Sequence, residues 1–423
     1  MKILYVSQYF PPEMGAPAAR VAELARHWVR AGHEVTVLTG FPNHPTGIIP
    51  SAYRKHFRRG FIREEFSGAE VIRTWLLPLP NRKAYERILN YGSFCVSAAL
   101  SGIFVDRPDV VIATSPQLLV GLSGCWIARW KRVPFVFEVR DLWPESLAAV
   151  GIGSERSFLH RSLARVAGYL YKSSSRIVVV SPAFKQHLAH HWQIDQHKIS
   201  VIENGVETDL FQPKPSQADK IRTSLGAHDR FVVSYIGTMG MAHGLETILE
   251  SAETLQTKAP DVLFLLIGEG ADKDRIKCQA AHRGLKNVIF LDEQPREQIP
   301  DFISASDVCL VPLKRTELFK TVIPTKLLEF MACARPVILG VEGEARKIVE
   351  SARAGLAIEP ENSVELSQTV LRLMANPELS AALGRNGRRY ILENFSRKQK
   401  AAEYLNVLEA LMGARAARAA AAA

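Results

Sequence analysis

Residues 231–250 read FVVSYIGTMGMAHGLETILE. Phe231–Ile236 is an apolar, largely β-branched and aromatic run without polar alternation, the pattern of a strand covered on both faces. Gly237, Thr238, Met239 and Gly240 follow, and the two glycines let backbone approach closely whatever lies beyond the strand. Gly244 then precedes a helical stretch. Strand, glycine turn and helix in direct succession are the repeating unit of a parallel α/β sheet.

The same grammar extends in both directions. After residue 231 it predicts strands at Val262–Ile267, Val288–Leu291, Val308–Val311 and Pro336–Leu339. LIGEG (266–270) repeats the glycine turn with Gly268 and Gly270. Before it come Lys2–Ser7, His33–Thr39, Val71–Thr74, Val110–Thr114, Phe135–Val139, Ile177–Ser181 and Ile199–Ile202, mostly with helical stretches between them. ENGVETDLFQPKP (203–215) breaks the alternation with a turn and two prolines and reads as a linker. At 423 residues the chain fits two domains of about 200 each. The expected fold class is therefore α/β, two doubly wound Rossmann-like domains facing a cleft. The expected divisions are residues 1–208, residues 209–395, a C-terminal helix over 396–412 and a disordered alanine-rich tail over 413–423.

Hydrophobic content of 47% and charged content of 23% are those of a folded globular protein. A formal net charge of +10 raises the question of an anionic partner. Its clusters are Arg54, Lys55, Arg58, Arg59 and Arg63; Arg82, Lys83 and Arg87; and Arg129, Lys131 and Arg132. No nucleic-acid module accompanies them, so no nucleic-acid partner is expected, and an anionic membrane surface suits them. The five cysteines lack metal-ligand spacing and read as buried free thiols of a reducing compartment. The first residues lack a signal-peptide pattern. Ile88–Val105 is apolar enough for a buried or interfacial helix, with Asn90, Gly92 and Gly102 weakening a spanning one.

Chemistry concentrates in ELFKTVIPTKLLEFMACARPV (317–337). Thr325 is the expected N-cap of a helix whose amides and positive dipole end suit a phosphate. Lys326 sits in the first turn, where a cation is unfavourable unless an anion offsets it. Glu329 follows within reach, so a diphosphate-sugar site and a capped core helix with two solvated charges both fit. Glu138, Arg140 and Asp141 leave the fifth strand; a carboxylate there can deprotonate an acceptor hydroxyl and Arg140 can hold an acceptor phosphate. A structural ion pair is the competing reading. Gly15 closes a loop after the first strand that could approach phosphates, although the dinucleotide fingerprint is absent. There is no P-loop, G-x-S-x-G or H-E-x-x-H, and no acidic pair or Cys/His cluster placed to hold a metal.

In its motifs the chain resembles the retaining family-four glycosyltransferases of the GT-B fold. The carrying residues are AGHEVTVLTG (31–40), ENGVETDLFQP (203–213), YIGTMGMAHGLETILE (235–250), LIGEG (266–270) and PTKLLEFMACARPVILG (324–340). EVRDLWPES (138–146), TVIPTKLLEFMA (321–332) and GVEGEA (340–345) resemble transferases of bacterial O-antigen, capsule and colanic-acid-type polysaccharides, among them transferases of N-acetyl-fucosamine-type sugars. The resemblance implies a nucleotide-sugar donor on the second domain and an acceptor on the first. Glu329 then holds the ribose. The family's second glutamate, eight residues earlier, is Thr321 here, with Lys320 or amides near Val322 as substitutes. The family's diphosphate lysine is replaced near His243, which moves that role to Lys326.

The expected function is metal-independent, cofactor-free transfer of a sugar, an N-acetylated deoxyhexose among the candidates, from UDP to a polyprenyl-diphosphate-linked saccharide. Catalysis is expected from Glu138, Asp141 and Lys326. Donor binding is expected from Gly237, Thr238, Gly240, Gly268, Gly270, Thr321, Thr325, Lys326 and Glu329. Acceptor binding falls to Gly15 and Arg140. The enzyme is expected in the cytoplasm, peripheral on the inner face of the membrane. A UDP-sugar 2-epimerase of the same fold and a non-catalytic sugar-nucleotide-binding partner are the alternatives.

Overall fold

Runs of Val, Ile and Phe with no polar alternation have nowhere to go but the middle of a layered sheet, and two such sheets form. The computed structural model describes residues 1–44, 46–80, 84–146 and 157–422. It divides into one unit of Met1–Glu203 with Arg397–Ala423 and a second of Asn204–Ser396.

The first unit holds β1 (Lys2–Val6), β2 (Glu34–Gly40), β3 (Phe61–Phe66), β4 (Ala69–Thr74), β5 (Val110–Thr114), β6 (Phe135–Val139), β7 (Arg176–Val179) and β8 (Ile199–Val201). Their order is β3-β4-β2-β1-β5-β6-β7-β8. Only β3 runs antiparallel, joined to β4 through Ser67 and Gly68, both at positive φ as a tight hairpin turn demands. On one face lie α1 (Ala16–Arg30) and the C-terminal helix; on the other lie α3 (Ala84–Ile103) and α4 (Leu118–Lys131), with α2 (Ser51–Phe57) near the β3–β4 edge. α5 (Phe158–Ser173) packs beside α4, and α6 (Pro182–His190) follows β7.

The second unit holds β9 (Phe231–Ile236), β10 (Val262–Ile267), β11 (Val288–Leu291), β12 (Val308–Pro312), β13 (Val337–Gly340) and β14 (Gly355–Ala357). All pairs are parallel, in the order β11-β10-β9-β12-β13-β14. β9 and β10 are buried almost throughout, which is why both read as continuous apolar runs. The unit's helices are α7 (Pro215–Ser224), α8 (Glu246–Lys258), α9 (Lys273–His282), α10 (Ile299–Ala305), α11 (Thr325–Ala332) and α12 (Glu344–Ala352), and α13 (Ser363–Met374) and α14 (Pro377–Asn394) follow the last strand.

Several expectations are corrected. The first unit stops at Glu203 and not at 208, because Val206 N–H donates to Phe395 O at 2.9 Å and draws the linker into the second unit. The C-terminal helix, α15 (Arg397–Ala422), belongs to the first unit. Arg397 bonds Glu23 at 2.8 Å, Trp28 donates its indole N–H to Ala401 O at 3.1 Å, and Tyr404 and Leu408 are fully buried. Helix continues to Ala422 where a disordered tail is expected, consistent with alanine's high helix propensity. Cys278 is exposed and Cys95 half-buried, so only Cys125, Cys309 and Cys333 fit the buried-thiol reading. β3 and β14 were not legible: FIREEF alternates like a surface segment, and β14 has three residues. Among the described residues no helix is long and apolar enough to cross a membrane. Arg82 and Lys83 lie outside the described residues.

Since α15 completes the core of the first unit, Leu408→Ala should destabilise that unit by about 2–5 kcal/mol. Deleting residues 413–423 should cost under about 0.5 kcal/mol. Denaturant titration of both variants measures the contrast.

Candidate functional site

In a doubly wound sheet the crevice for ligands opens beyond the carboxyl ends of the strands, where the strand order reverses. In the second unit that point lies between β9 and β12. The β9 turn supplies Gly237, Thr238 and Gly240, and the segment after β12 leads into α11. His243 joins the two, its Nδ1 lying 3.4 Å from Pro312 O.

Lys326 is brought to the β9 turn by the first turn of α11. A Cβ on Gly237 would lie 2.8 Å from Lys326 Nζ, so only glycine leaves the ammonium its place. Nζ sits 3.9 Å from the centroid of Tyr235, a cation–π contact, and is buried with no hydrogen-bond partner. Burial lowers the Lys326 pKa to about 7, against the opposing attraction of Glu329. The His243 ring meets Tyr235 edge-on at 5.8 Å between centroids. Burial and the Lys326 cation push its pKa down to about 3, so His243 is neutral. With His243 neutral, the positive charge beside the β9 turn is carried by Lys326.

Gly268 and Gly270 have a packing reason. A Cβ on Gly268 would come within 2.1 Å of Gly237 O, and one on Gly270 within 2.2 Å of Met239 O. The β10 turn thus backs the β9 turn, and Met239 N–H donates to Glu269 O at 2.8 Å. Thr238 is exposed and its carbonyl accepts from the Tyr235 hydroxyl. At Gly240 the nearest atoms to an added Cβ are 3.9 Å and more away.

Thr325 is not the N-cap. Pro324, with φ −62° and ψ 128°, occupies that position, and no side chain caps α11. Thr325 lies one residue inside, so its hydroxyl makes no capping bond to the first-turn amides. Glu329 is buried and accepts from Arg296 Nη1 at 2.9 Å, and the Arg296 guanidinium lies 4.9 Å over Phe211. The Thr321 hydroxyl donates to Leu318 O at 2.6 Å. Lys320, expected as a substitute for the family's glutamate, is held by Glu317 at 2.7 Å and Glu342 at 3.4 Å.

In the first unit, Glu138 at the end of β6 is fully buried against Arg20, also fully buried, at 2.9 Å. Tyr5 donates its hydroxyl to Glu138 Oε2 at 2.6 Å. Burial raises the Glu138 pKa, but Arg20 and Arg140 outweigh it and hold the carboxyl below its usual range. The expectation of a catalytic base at Glu138 is corrected: with both oxygens engaged and no exposure, it holds Arg20. Arg140 donates to Ala16 O at 3.1 Å and Pro17 O at 3.4 Å, which brings it to the Gly15 loop. Burial and Arg20 lower its pKa to about 10. Burial raises the Asp141 pKa, while its carboxylate accepts from the Ser146 hydroxyl.

Residues 15–205 match the family described as "Glycosyl transferase 4-like domain", and residues 217–390 match "Glycosyl transferases group 1". The chain belongs to the group 1 glycosyltransferases. It is 25% identical over 408 residues to the putative colanic acid biosynthesis glycosyl transferase WcaI of Escherichia coli K12, covering 89% of this chain and 93% of that one. In structure it resembles the sucrose-phosphate synthase of Thermosynechococcus elongatus, at TM-score 0.79 and 20% identity over 98% of this chain and 99% of that chain. It also resembles HepE of Anabaena, solved with UDP and glucose, at TM-score 0.73 and 19% identity over 97% and 99%. The fold of this glycosyltransferase is thus GT-B.

The sequence singles out Lys326 and Glu329, but not Arg296 and Tyr235, which contact them. Tyr235 is hidden because an aromatic residue in an apolar strand reads as core, which it also is. Arg296 lies in a short turn with no motif. In the glycosyltransferase, Lys326 is carried as a cation at a cost, since the unfolded chain binds its proton up to about pH 10. Its folded pKa is depressed, so between about pH 7 and 10 the unfolded state holds more protons and stability rises with pH. Lys326→Met should therefore raise the melting temperature of the ligand-free enzyme by about 5 °C near pH 6. That gain should shrink toward pH 10, as thermal unfolding of both proteins across this range will measure.

Proposed function

We propose that this glycosyltransferase moves a sugar, with retention, from a UDP-linked donor to a polyprenyl-diphosphate-linked saccharide in surface polysaccharide biosynthesis. The carrying observation is the buried Lys326 ammonium, without a hydrogen-bond partner, at the uncapped start of α11 beside Gly237. An anion is what such a group lacks, and a diphosphate at that helix start would complete it. A UDP- and glucose-bound solved relative and a colanic-acid relative support the donor and pathway class.

Lys326 and the first amides of α11 would neutralise the diphosphate, with no divalent metal in the reading. Negative charge grows there as the sugar departs, so Lys326 acts more on the transition state than on ground-state binding. Glu329, fixed by Arg296, would meet the ribose hydroxyls. Glycines 237 and 240 would admit the donor backbone-close, with Gly268 and Gly270 supporting that turn, and Thr238, Thr321 and Thr325 would contact the donor beside them. On the first unit, Arg140 and the Gly15 loop would hold acceptor phosphate and Asp141 would orient the attacking hydroxyl. The lipid acceptor puts the enzyme at the cytoplasmic face of the membrane, which the basic surface favours.

A donor panel with native lipid extract as acceptor, read by product mass and repeated in EDTA, tests the reading. Transfer unaffected by chelation is expected. Activity restored only by magnesium or manganese overturns the metal-free part, and isomerisation of UDP-sugar without acceptor identifies a 2-epimerase instead.

The two charged residues should separate in sign. Glu329→Gln removes a charged acceptor, weakening UDP binding by about ten- to hundredfold. It should also lower the ligand-free melting temperature, because Arg296 loses its carboxylate partner. Lys326→Met should raise that temperature yet reduce turnover more than UDP affinity. Calorimetry, turnover and melting of both variants distinguish this from a helix that serves only the core.

A further inference from the structure

One face of the first unit is built inside out. The inward stripe of α3 carries Glu86, Asn90, Phe94 and Ala98, with Asn90 bonded to Asn43, Gln8 and the Leu77 carbonyl. Its outward stripe carries Leu89, Val96 and Leu100, with Phe104 just past the helix end. A helix facing water shows the reverse arrangement. Phe104 is 78% exposed, Val96 61% and Leu100 57%.

The neighbouring elements extend this stripe. α4 packs so closely on α3 that a Cβ on Gly102 would lie 2.4 Å from Ile127. Its outward side presents Trp126 and Trp130, stacked at 5.9 Å, with Trp130 61% exposed. On the other side, the Trp75 carbonyl accepts from Ser97 of α3, and the Trp75 ring stacks on Phe57 of α2 at 6.3 Å.

The two flanks of this ridge are basic, although Asp106 is exposed two residues past Phe104. α4 and α5 contain no Asp or Glu, and Arg129, Arg132, Arg161 and Arg165 are exposed at their edge of it. Past Trp75, α2 and its following turn expose Arg54, Lys55, Arg58 and Arg59. Exposed tryptophans between cationic flanks fit the headgroup layer of an anionic bilayer, where rings sit at the interface and Lys and Arg meet lipid phosphate. A second copy of the chain would bring like charges together.

We propose that the α2–α3–α4–α5 face docks on anionic lipid, with Leu100, Phe104, Trp126 and Trp130 entering the headgroup region between the two basic flanks. The inference rests on the membrane reading above and assigns it a surface. It differs from attraction by basic clusters alone, because buried apolar area is not screened by salt.

The test uses the full chain with phosphatidylcholine vesicles, with and without phosphatidylglycerol, at low and high salt. Cosedimentation and tryptophan quenching by brominated lipid are read together, and melting curves check the fold of each variant. Wild type should bind the anionic vesicles, keep part of that binding at high salt and be quenched. Trp126→Ser with Trp130→Ser should weaken binding by about tenfold or more and lose most of the quenching. No binding by wild type overturns the membrane reading and this surface together. Binding that vanishes at high salt without quenching, or that the tryptophan variant leaves unchanged, overturns the ridge while leaving electrostatic association standing. A dimer in solution that Leu100→Glu dissociates also overturns it, as a self-interface.

Discussion

A buried ammonium with no hydrogen-bond partner is the constraint around which the second unit is arranged. Lys326 meets the face of Tyr235 on one side and the bare Cα of Gly237 on the other. A larger residue at 237 would evict it, and Gly268 in turn must lack a side chain because Gly237 O fills the space. Three positions on two adjacent strands and their turns, Tyr235, Gly237 and Gly268, are thereby tied to one charge on α11. Burial of this kind is costly by itself, since the charged form loses its water. A folded chain that retains it keeps a group whose state an anion can change.

The first unit treats charge in the opposite way. Glu138 and Arg20 are fully buried, but each is engaged, with Tyr5 and the carbonyls of Ile202 and Glu203 completing the shell. Breaking such a pair leaves a partner stranded, which makes it a rigid post more than a reagent. Its position explains its use. Arg20 lies on α1 and Glu138 on β6, so the pair anchors the helix that begins at Gly15 to the strand that ends beside Arg140. Arg140 is then held on the carbonyls of Ala16 and Pro17, with its usual proton affinity reduced by burial and by Arg20.

Fold was legible where burial leaves a signature in residue type. Continuous Val, Ile and Phe runs marked the parallel strands, and glycine turns marked their carboxyl ends. The strands that escaped notice, β3 and β14, are an exposed edge and a three-residue fragment, neither of which needs an apolar run. Site chemistry was legible only for residues that are odd in their setting, such as Lys326 in a helix's first turn. Glu138 was equally odd, yet its meaning turned on Arg20, more than a hundred residues away in the chain. Charge at a strand end signals that something is held there; it does not say whether the partner is a ligand or the protein itself.

The distinction can be pressed further on Glu329. It lies one turn beyond Lys326 on α11, but it is paired with Arg296, which itself rests on Phe211. A carboxylate fixed by a guanidinium that is itself held in place keeps its orientation. Sequence alone offered two choices for this helix, a ligand site or a capped core element with solvated charges. Neither charge is solvated, and no side chain caps the helix. α11 is a core element through Leu327, Leu328 and Met331, and on its polar face it carries one charge already answered and one that is not.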